Sequence, residues 1–284
     1  MTDGSIILVE IKGERLTRIS PDGKKATIAE IKGGPNGAAI GPDGRCYVCN
    51  NGGFEWREVM GQTISGDAPA HYEGGSIEAV DLATGKVERL YERVGGHCLK
   101  GPNDIVFDKA GGFWFTDLGK SYERKRDHGG LYYALPDGSK ITEAAYPMFS
   151  PNGVGLSPDE KTVYAADTFT ARLIAFDLSG PGEIAQSELP LPGRVVATAS
   201  GYQFFDSLGV EETGNIVVAT LLNGGMSVIS PDGAIDHVSL PDLFPTNICF
   251  GGEGRRDAYV TLSGTGRLAK LRWPRPGLAL NFNA

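Results

Sequence analysis

Oxygen-bearing side chains recur at the same place in a phrase that this sequence repeats. The phrase reads Gly-Pro-Asn-Gly, Gly-Pro-Asn-Asp, Ser-Pro-Asn-Gly and Pro-Thr-Asn-Ile, and a fifth copy, Phe-Asp-Ser-Leu, carries an acid instead of the amide. The five polar residues are Asn36, Asn103, Asn152, Asp206 and Asn247. Amide and carboxylate oxygens are the ligands that Ca²⁺, Mg²⁺ and Mn²⁺ prefer. If the five met around one axis, they would form a cation site with Asp206 as ligand or general base. The alternative is a turn or lining role, because Asn and Asp also hydrogen-bond the nearby backbone.

Each phrase introduces a set of short apolar stretches separated by turns. Asp-Gly turns, as in Pro-Asp-Gly at 42–44 and 136–138, are a strong hairpin signal between apolar runs. The repeat that opens at Asn103 predicts four strands, at 105–107, 113–117, 130–134 and 141–144. Such internal self-similarity indicates a repeat architecture.

Five complete repeats and a partial one predict an all-β fold, a six-bladed β-propeller with about four antiparallel strands per blade. The partial repeat is N-terminal, where 6–11, 15–19 and 26–31 predict outer strands without an inner one. No linker-like shift in composition divides the chain, so residues 1–284 are predicted to form a single domain. In a propeller the inner strands begin at one mouth of the central channel, and the loops after the second strands reach the same mouth.

Two long loops, 51–74 and 118–129, are therefore predicted to face that mouth, where a rigid scaffold usually carries function. Their candidates for substrate contact are Trp56, Tyr122 and His128. Lys120 in the second loop could stabilise an oxyanion, although exposure to solvent is the default expectation for a loop lysine.

Three acids are candidates for a supporting role. Asp104 follows a predicted ligand and could hold it by a hydrogen bond or make a turn hydrogen bond. Asp117 and Asp167 end second strands near the predicted mouth.

Composition argues against several classes of protein. Lys plus Arg is 27 and Asp plus Glu is 35, giving a net charge of −8 with no basic stripe, so nucleic acid is not an expected partner. No apolar run approaches the roughly 18 residues that span a bilayer, and the N-terminus lacks a signal-peptide pattern; a soluble cytoplasmic protein without membrane association is predicted. Cys46 and Cys49, three apart on a predicted strand, point to opposite faces and suit neither a metal nor a disulfide. No motif for an organic cofactor occurs.

The repeats resemble the SMP-30/gluconolactonase/LRE-like family of six-bladed propellers, which includes regucalcin and diisopropyl-fluorophosphatase-like proteins. The stretches that carry the resemblance are 101–108 with 113–117, 150–159 with 162–167, 206–210 with 214–215, and 247–252. The resemblance implies one divalent metal (Ca, Mg, Mn or Zn) held by Asn103, Asn152, Asp206 and a Glu. It also implies hydrolysis of a small-molecule lactone or related ester by metal-activated water, with Asp206 as general base or ligand.

Two features depart from the family pattern. The family Glu lies in a Glu-Gly-Pro phrase before the first inner strand, and this sequence begins almost where that strand should end. Either the first blade lacks its inner strand and the metal one ligand, or the start is truncated. Sugar-lactone members also carry an Arg where Gly101 stands here, which predicts a less sugar-like substrate whose aromatic or alkyl part meets Phe54, Trp56 and Tyr122.

Two other functions remain compatible with these residues. One is a non-catalytic propeller that binds a small molecule or a protein through its mouth. The other is a lyase or synthase, because one fold hosts several chemistries.

Overall fold

The structure, a computed structural model, describes residues 1–59, 61–187 and 193–282. Its regular structure is almost entirely antiparallel β-sheet, and the fold is the predicted six-bladed β-propeller. Within the described ranges the one helical element is a 3₁₀ turn at Glu253–Arg255. None of the described residues belongs to a helix with the length and apolarity needed to cross a membrane.

The backbone separates into two compact units. Counting described residues, the first unit comprises Met1–Arg57, Ser65–Met148 and the residues from Leu280 onward; the second comprises Glu58–Ile64 and residues from Phe149 to Ala279. Each unit contains three of the six blades. That the whole chain is one domain stays a prediction.

The first three blades are built from the strands before residue 149. These strands are β1 (Ile6–Glu10), β2 (Arg15–Ile19), β3 (Lys25–Glu30), β4 (Pro35–Ile40), β5 (Cys46–Asn50), β6 (Trp56–Val59), β7 (Gln62–Ser65), β8 (Ser76–Val80), β9 (Val87–Tyr91), β10 (Arg93–Val94), β11 (His97–Cys98), β12 (Pro102–Phe107), β13 (Phe113–Asp117), β14 (Ser121–Tyr122), β15 (Lys125–Arg126), β16 (Gly129–Ala134) and β17 (Ile141–Met148). The blades have the strand orders β1-β2-β3, β4-β5-β8-β9 and β12-β13-β16-β17. Three small two-stranded sheets, β6-β7, β10-β11 and β14-β15, stand apart from them.

The remaining strands form the other three blades. They are β18 (Pro151–Leu156), β19 (Thr162–Asp167), β20 (Arg172–Gly180), β21 (Glu183–Ile184), β22 (Arg194–Thr198), β23 (Phe204–Val210), β24 (Ile216–Leu221), β25 (Gly225–Ile229), β26 (Ile235–Ser239), β27 (Pro245–Gly251), β28 (Asp257–Leu262) and β29 (Arg267–Arg272). The fourth blade follows β18-β19-β20, after which β21 and β22 pair with different parts of β20. The fifth and sixth have the orders β23-β24-β25-β26 and β27-β28-β29.

The predicted strands of the third blade match β12, β13, β16 and β17, each extended by a few residues or not at all. The inner three, β12, β13 and β16, are buried along their whole length, which explains why they read as continuous apolar stretches rather than alternating ones. The outer strand β17 is partly exposed. In the described part of the chain the first blade has three strands. That the strand it lacks is the inner one stays a prediction.

Cys46 and Cys49 lie on opposite faces of β5, as predicted. Each packs into a different hydrophobic cluster of the first unit, Cys46 with Leu16 and Cys49 with Tyr47. Both are free thiols, and burial raises the pKa of Cys46 to about 12. These cysteines therefore act as small apolar residues.

Candidate functional site

The repeated Asn and Asp residues all lie near the start of an inner strand, at an irregularity in its pairing with the second strand. Asn36, Asn103 and Asn152 are each the second residue of their strand, inside the interval where the register shifts. Asp206 lies within the corresponding shift of β23, and the shift in β27 ends at Asn247. A β-bulge of this kind re-aims a side chain out of the regular pleat. The sequence repeat is thus a repeat of backbone geometry.

Asn103 carries a buried amide oxygen without a hydrogen-bond donor. Its side chain is buried, and its amide oxygen Oδ1 accepts no hydrogen bond from the protein. Native structures seldom leave a buried polar atom in this condition, and each such atom calls for a water, an ion or a catalytic role. Asn103 Oδ1 is therefore suited to act as a ligand of a cation.

Asn152 is held by the loop that follows β19. Its Nδ2 donates to Oγ1 of Thr168 at 3.1 Å, which fixes the orientation of the buried amide. With the amino group directed at Thr168, the carbonyl oxygen is directed away from it. This oxygen is the second candidate ligand.

Asp206 and Asn247 are half-buried and make similar local hydrogen bonds. Asp206 Oδ1 accepts the backbone N–H of Ser207 at 3.1 Å, and Asn247 Oδ1 accepts that of Ile248 at 2.7 Å. Asn247 thus makes the local backbone hydrogen bond expected of a turn or lining residue. Asp206 supplies the one carboxylate among the five positions.

Neighbouring inner strands approach closely within each unit, next to these residues. A Cβ placed on Gly37 would lie 2.5 Å from the backbone oxygen of Asn103, which brings the strands of Asn36 and Asn103 together in the first unit. A Cβ placed on Gly153 would lie 2.8 Å from the backbone oxygen of Asp206, which does the same for Asn152 and Asp206 in the second unit. Glycine after the Asn therefore allows this approach.

The acids at the ends of the second strands hold the loops in front of the inner strands. Asp117 accepts the backbone N–H groups of Lys100, Gly101 and Gly119 at 2.6 to 2.8 Å. Burial raises its pKa, although these hydrogen bonds act in the opposite direction. In the second unit, Asp167 accepts the N–H and hydroxyl of Ser150. Their positions were predicted, but their partners, which are backbone N–H groups for Asp117 and also hydroxyl groups for Asp167, were not.

Lys120 is buried, which corrects the expectation of exposure. Its Nζ donates to the carbonyl oxygen of Gly53 and to Oδ1 of Asn51, and it lies 3.9 Å from the ring centroid of Phe54 and 5.3 Å from that of Tyr72. With 2% of its surface exposed, burial lowers its pKa to about 7, and the nearby charge of Asp117 partly opposes this. The loops after β5 and β13 are thereby joined inside the first unit.

The other predicted loop residues lie in the first unit as well. The rings of Trp56 and Phe54 meet edge to face with centroids 6.0 Å apart. Tyr122 donates its hydroxyl to Asp127 at 3.1 Å, and burial together with that carboxylate raises its pKa to about 12. His128 is exposed, and no structural observation singles it out.

Asp104 makes hydrogen bonds within the third blade. Its carboxylate accepts the N–H of Ile105 at 3.0 Å, and its own backbone N–H donates to Thr116 Oγ1 at 3.2 Å. Its predicted action on the neighbouring Asn103 stays a prediction.

The residues predicted to hold a metal carry donor atoms of a kind that binds a metal ion. In residues 1–59, 61–187 and 193–282 no three His, Cys, Asp or Glu side chains are grouped as metal ligands would be. The predicted set is of another kind, two amide oxygens and one carboxylate, and Asn103 contributes an oxygen that lacks a donor. That Asn103 shares a cation with Asn152 and Asp206 is a prediction from the family pattern.

Comparison with known proteins shows the family to which this chain belongs. The family model described as SMP-30/Gluconolactonase/LRE-like region matches residues 1–264. Lactonase drp35 of Staphylococcus saprophyticus is 30% identical over 243 residues, covering 84% of this chain and 67% of that protein. A gluconolactonase from Xanthomonas campestris has a TM-score of 0.74 at 22% identity, covering 96% of this chain and 83% of the other. Regucalcin from Agrobacterium tumefaciens, described as calcium-binding, has a TM-score of 0.72 at 17% identity, covering 98% and 91%. At these identities, the gluconolactonase and regucalcin structures show only that this chain has the same fold as they do.

Proposed function

Because this chain belongs to the SMP-30/gluconolactonase/LRE-like family, we propose that it hydrolyses a lactone or related ester with the help of one divalent cation. The lactonase and gluconolactonase relatives support the reaction class. The observation that carries the proposal is the buried Oδ1 of Asn103, which accepts no hydrogen bond. Such an atom costs on the order of 1–3 kcal/mol, and a cation would offset that cost.

Asn103, Asn152 and Asp206 are the proposed cation ligands. Two amide oxygens and a carboxylate favour Ca²⁺, Mg²⁺ or Mn²⁺ over Zn²⁺, which binds nitrogen and sulfur more readily. The calcium-binding description of regucalcin supports a cation of this kind in the family. The hydrogen bond from Asn152 to Thr168 supports its role, since it orients the amide before any ion arrives.

The proposed reaction divides between the cation and the protein. A divalent cation here would polarise the lactone carbonyl and lower the pKa of a nearby water. Asp206 orients the attacking water and accepts its proton. The oxygen of that water bonds to the carbonyl carbon, the ring C–O bond breaks, and the proton passes to the departing alkoxide. The product is a hydroxy acid.

Gly101 supports a substrate less sugar-like than a gluconolactone. A Cβ at this position would lie 2.6 Å from the backbone oxygen of Gly119, so the Arg that sugar-lactone members carry here cannot be accommodated without movement of that loop. A site without this guanidinium loses directional hydrogen bonds to sugar hydroxyls. We therefore propose a lactone or ester with an apolar part.

Metal content and lactone hydrolysis test the proposal together. We expect about one divalent ion per chain in the purified protein and its loss in Asp206→Ala. Asp206→Asn should lower kcat/KM by about 100-fold or more, because it removes the proton acceptor. Asp232→Ala is the matched control, since Asp232 is an exposed turn residue in the same unit.

The two parts of the proposal fail separately. A folded wild-type protein without a bound cation whose activity survives chelation would contradict the metal role and leave lactone hydrolysis standing. Metal lost equally from the Asp232 control would contradict the assignment of Asp206. A metal-loaded protein that hydrolyses neither alkyl-substituted nor sugar lactones would contradict the reaction.

A further inference from the structure

Four aromatic side chains of the second unit form a partly exposed row, here called the aromatic ladder: Phe149, Phe169, Phe204 and Tyr202. Consecutive rings meet edge to face, with centroid separations of 6.3 Å, 5.5 Å and 5.2 Å. Phe149 is 49% exposed, Phe169 45% and Tyr202 82%, while Phe204 is half-buried. Soluble proteins rarely expose contiguous apolar surface without a binding role.

The aromatic ladder lies at the end of the second unit's blades where Asn152 and Asp206 also lie. Phe149 comes just before β18, which carries Asn152, and Phe204 opens β23, which carries Asp206. Phe169 follows β19, whose last residue pairs with the first residue of β18.

Thr168 connects the aromatic ladder to both site residues. Its Oγ1 accepts Nδ2 of Asn152 at 3.1 Å, and its carbonyl oxygen accepts the N–H of Phe205, the residue before Asp206, at 3.3 Å. The next residue, Phe169, donates its N–H to Oγ of Ser150 at 2.9 Å. The backbone of Phe169 is thus held in the same loop that orients a proposed ligand.

We propose that the aromatic ladder binds the apolar substituent of the substrate, an alkyl or aryl group carried on the lactone ring; this rests on the proposed function. Ligand sites are typically lined by aromatic and apolar side chains around a few polar groups that set orientation. Here the polar groups are Asn152 and Asp206, and the four aromatic residues lie at the same ends of the same blades. Rings already arranged edge to face present apolar surface at little further ordering cost.

Binding of carbocyclic analogues tests the proposal independently of catalysis. Cyclopentanone and 2-pentylcyclopentanone lack the ring oxygen of a lactone and cannot be hydrolysed. We expect the pentyl analogue to bind at least about tenfold more tightly, because it covers the aromatic ladder. Phe169→Ala should abolish that preference, and Phe169→Leu, which keeps an apolar surface, should retain part of it. Val195→Ala, at an exposed apolar residue of β22 in the same unit, is the control and should change neither affinity.

Kinetics provide the second measurement. For a pentyl-substituted γ-lactone, Phe169→Ala should raise KM about tenfold with little change in kcat, while the unsubstituted γ-lactone should be unaffected. Equal effects on both lactones, or none, would overturn the proposal and leave hydrolysis intact. Analogue preference without hydrolysis would support the aromatic ladder and contradict the proposed function. If Phe169→Ala instead reduced binding to phosphatidylcholine vesicles or self-association, with analogue affinities unchanged, the proposal would also be overturned.

Discussion

Aromatic residues near the inner strands have opposite surroundings in the two units. In the first unit, the rings of Phe54 and Tyr72 lie against the ammonium group of buried Lys120. In the second unit, the aromatic ladder is partly exposed to solvent, and Tyr202 is 82% exposed. A ring face that already contacts a cation is not available to a ligand. The comparison suggests that similar residues stabilise loops in one unit and contact substrate in the other.

Both units have a buried Asp at the end of a second strand that accepts hydrogen bonds from a neighbouring loop. Removing this carboxylate should have the largest effect on stability. Asp117→Ala would leave three backbone N–H groups without their acceptor, and Asp167→Ala would do the same to the N–H and hydroxyl groups of Ser150 and Thr170. Each substitution should lower the free energy of unfolding by roughly 3 kcal/mol or more. Denaturant titration would measure the loss.

The control for these two variants is Asp137→Ala, at an exposed turn of the first unit. Its effect should stay below about 0.5 kcal/mol, as for most surface substitutions. A loss confined to one of the two buried acids would show that the units are not built on the same loop anchor.

Buried Lys120, which belongs to the first unit, should give the next largest effect on stability, and this effect depends on pH. Lys120 has a pKa lowered to about 7, whereas an unfolded lysine titrates near 10.4. Between these values the unfolded chain binds more protons, so stability rises with pH. Lys120→Met lacks this contribution. From pH 7 to 9 the wild type should gain about 2 kcal/mol relative to the variant.

Unfolding titrations at pH 7, 8 and 9 would measure that difference. Buried thiols and phenols titrate in both proteins and cancel in the subtraction. Parallel stability curves for the wild type and Lys120→Met would contradict a lowered pKa. A stability that rises more steeply with pH in the variant than in the wild type would indicate a raised pKa of Lys120 and would also contradict the prediction.

The smallest expected effect on stability is the difference between removing Phe54 in the first unit and removing Phe169 from the aromatic ladder. Phe54→Ala removes a ring 3.9 Å from Lys120 Nζ and should lower stability by roughly 1 kcal/mol. Phe169→Ala removes a partly exposed ring and should lower it by less than about 0.5 kcal/mol. Thermal unfolding of the two variants, measured side by side, gives the order. A larger loss of stability in Phe169→Ala than in Phe54→Ala would contradict a stabilising role for Phe54 and a binding role for Phe169.

Local sequence patterns predicted the blades well. The four strands of the third blade and the position of each Asn or Asp at the start of an inner strand were predicted from turn residues and apolar stretches, because both depend on neighbours in sequence. The places of Asp117 and Asp167 at the ends of second strands were predicted for the same reason. Their partners were not, since most of these are backbone N–H groups, which carry no residue-type signal.

The burial of Lys120 depends on contacts distant in sequence. Asn51, Gly53 and Phe54, which surround its Nζ, come from a loop some seventy residues earlier. Nothing local distinguishes this lysine from a solvated one. The aromatic ladder was missed for a related reason: Phe149, Phe169 and Phe204 flank the repeated phrases, but only the fold brings their rings into contact.

The recurring bulge has an evolutionary consequence. Because the irregularity is set by strand pairing, it forms with Asn in some blades and with Asp206 in another. Asn and Asp codons differ by a single base, so one nucleotide change can add or remove a negative charge at any of these positions without a new backbone. Selection could therefore adjust which cation, and which reaction, a propeller of this design supports while its folding remains unchanged.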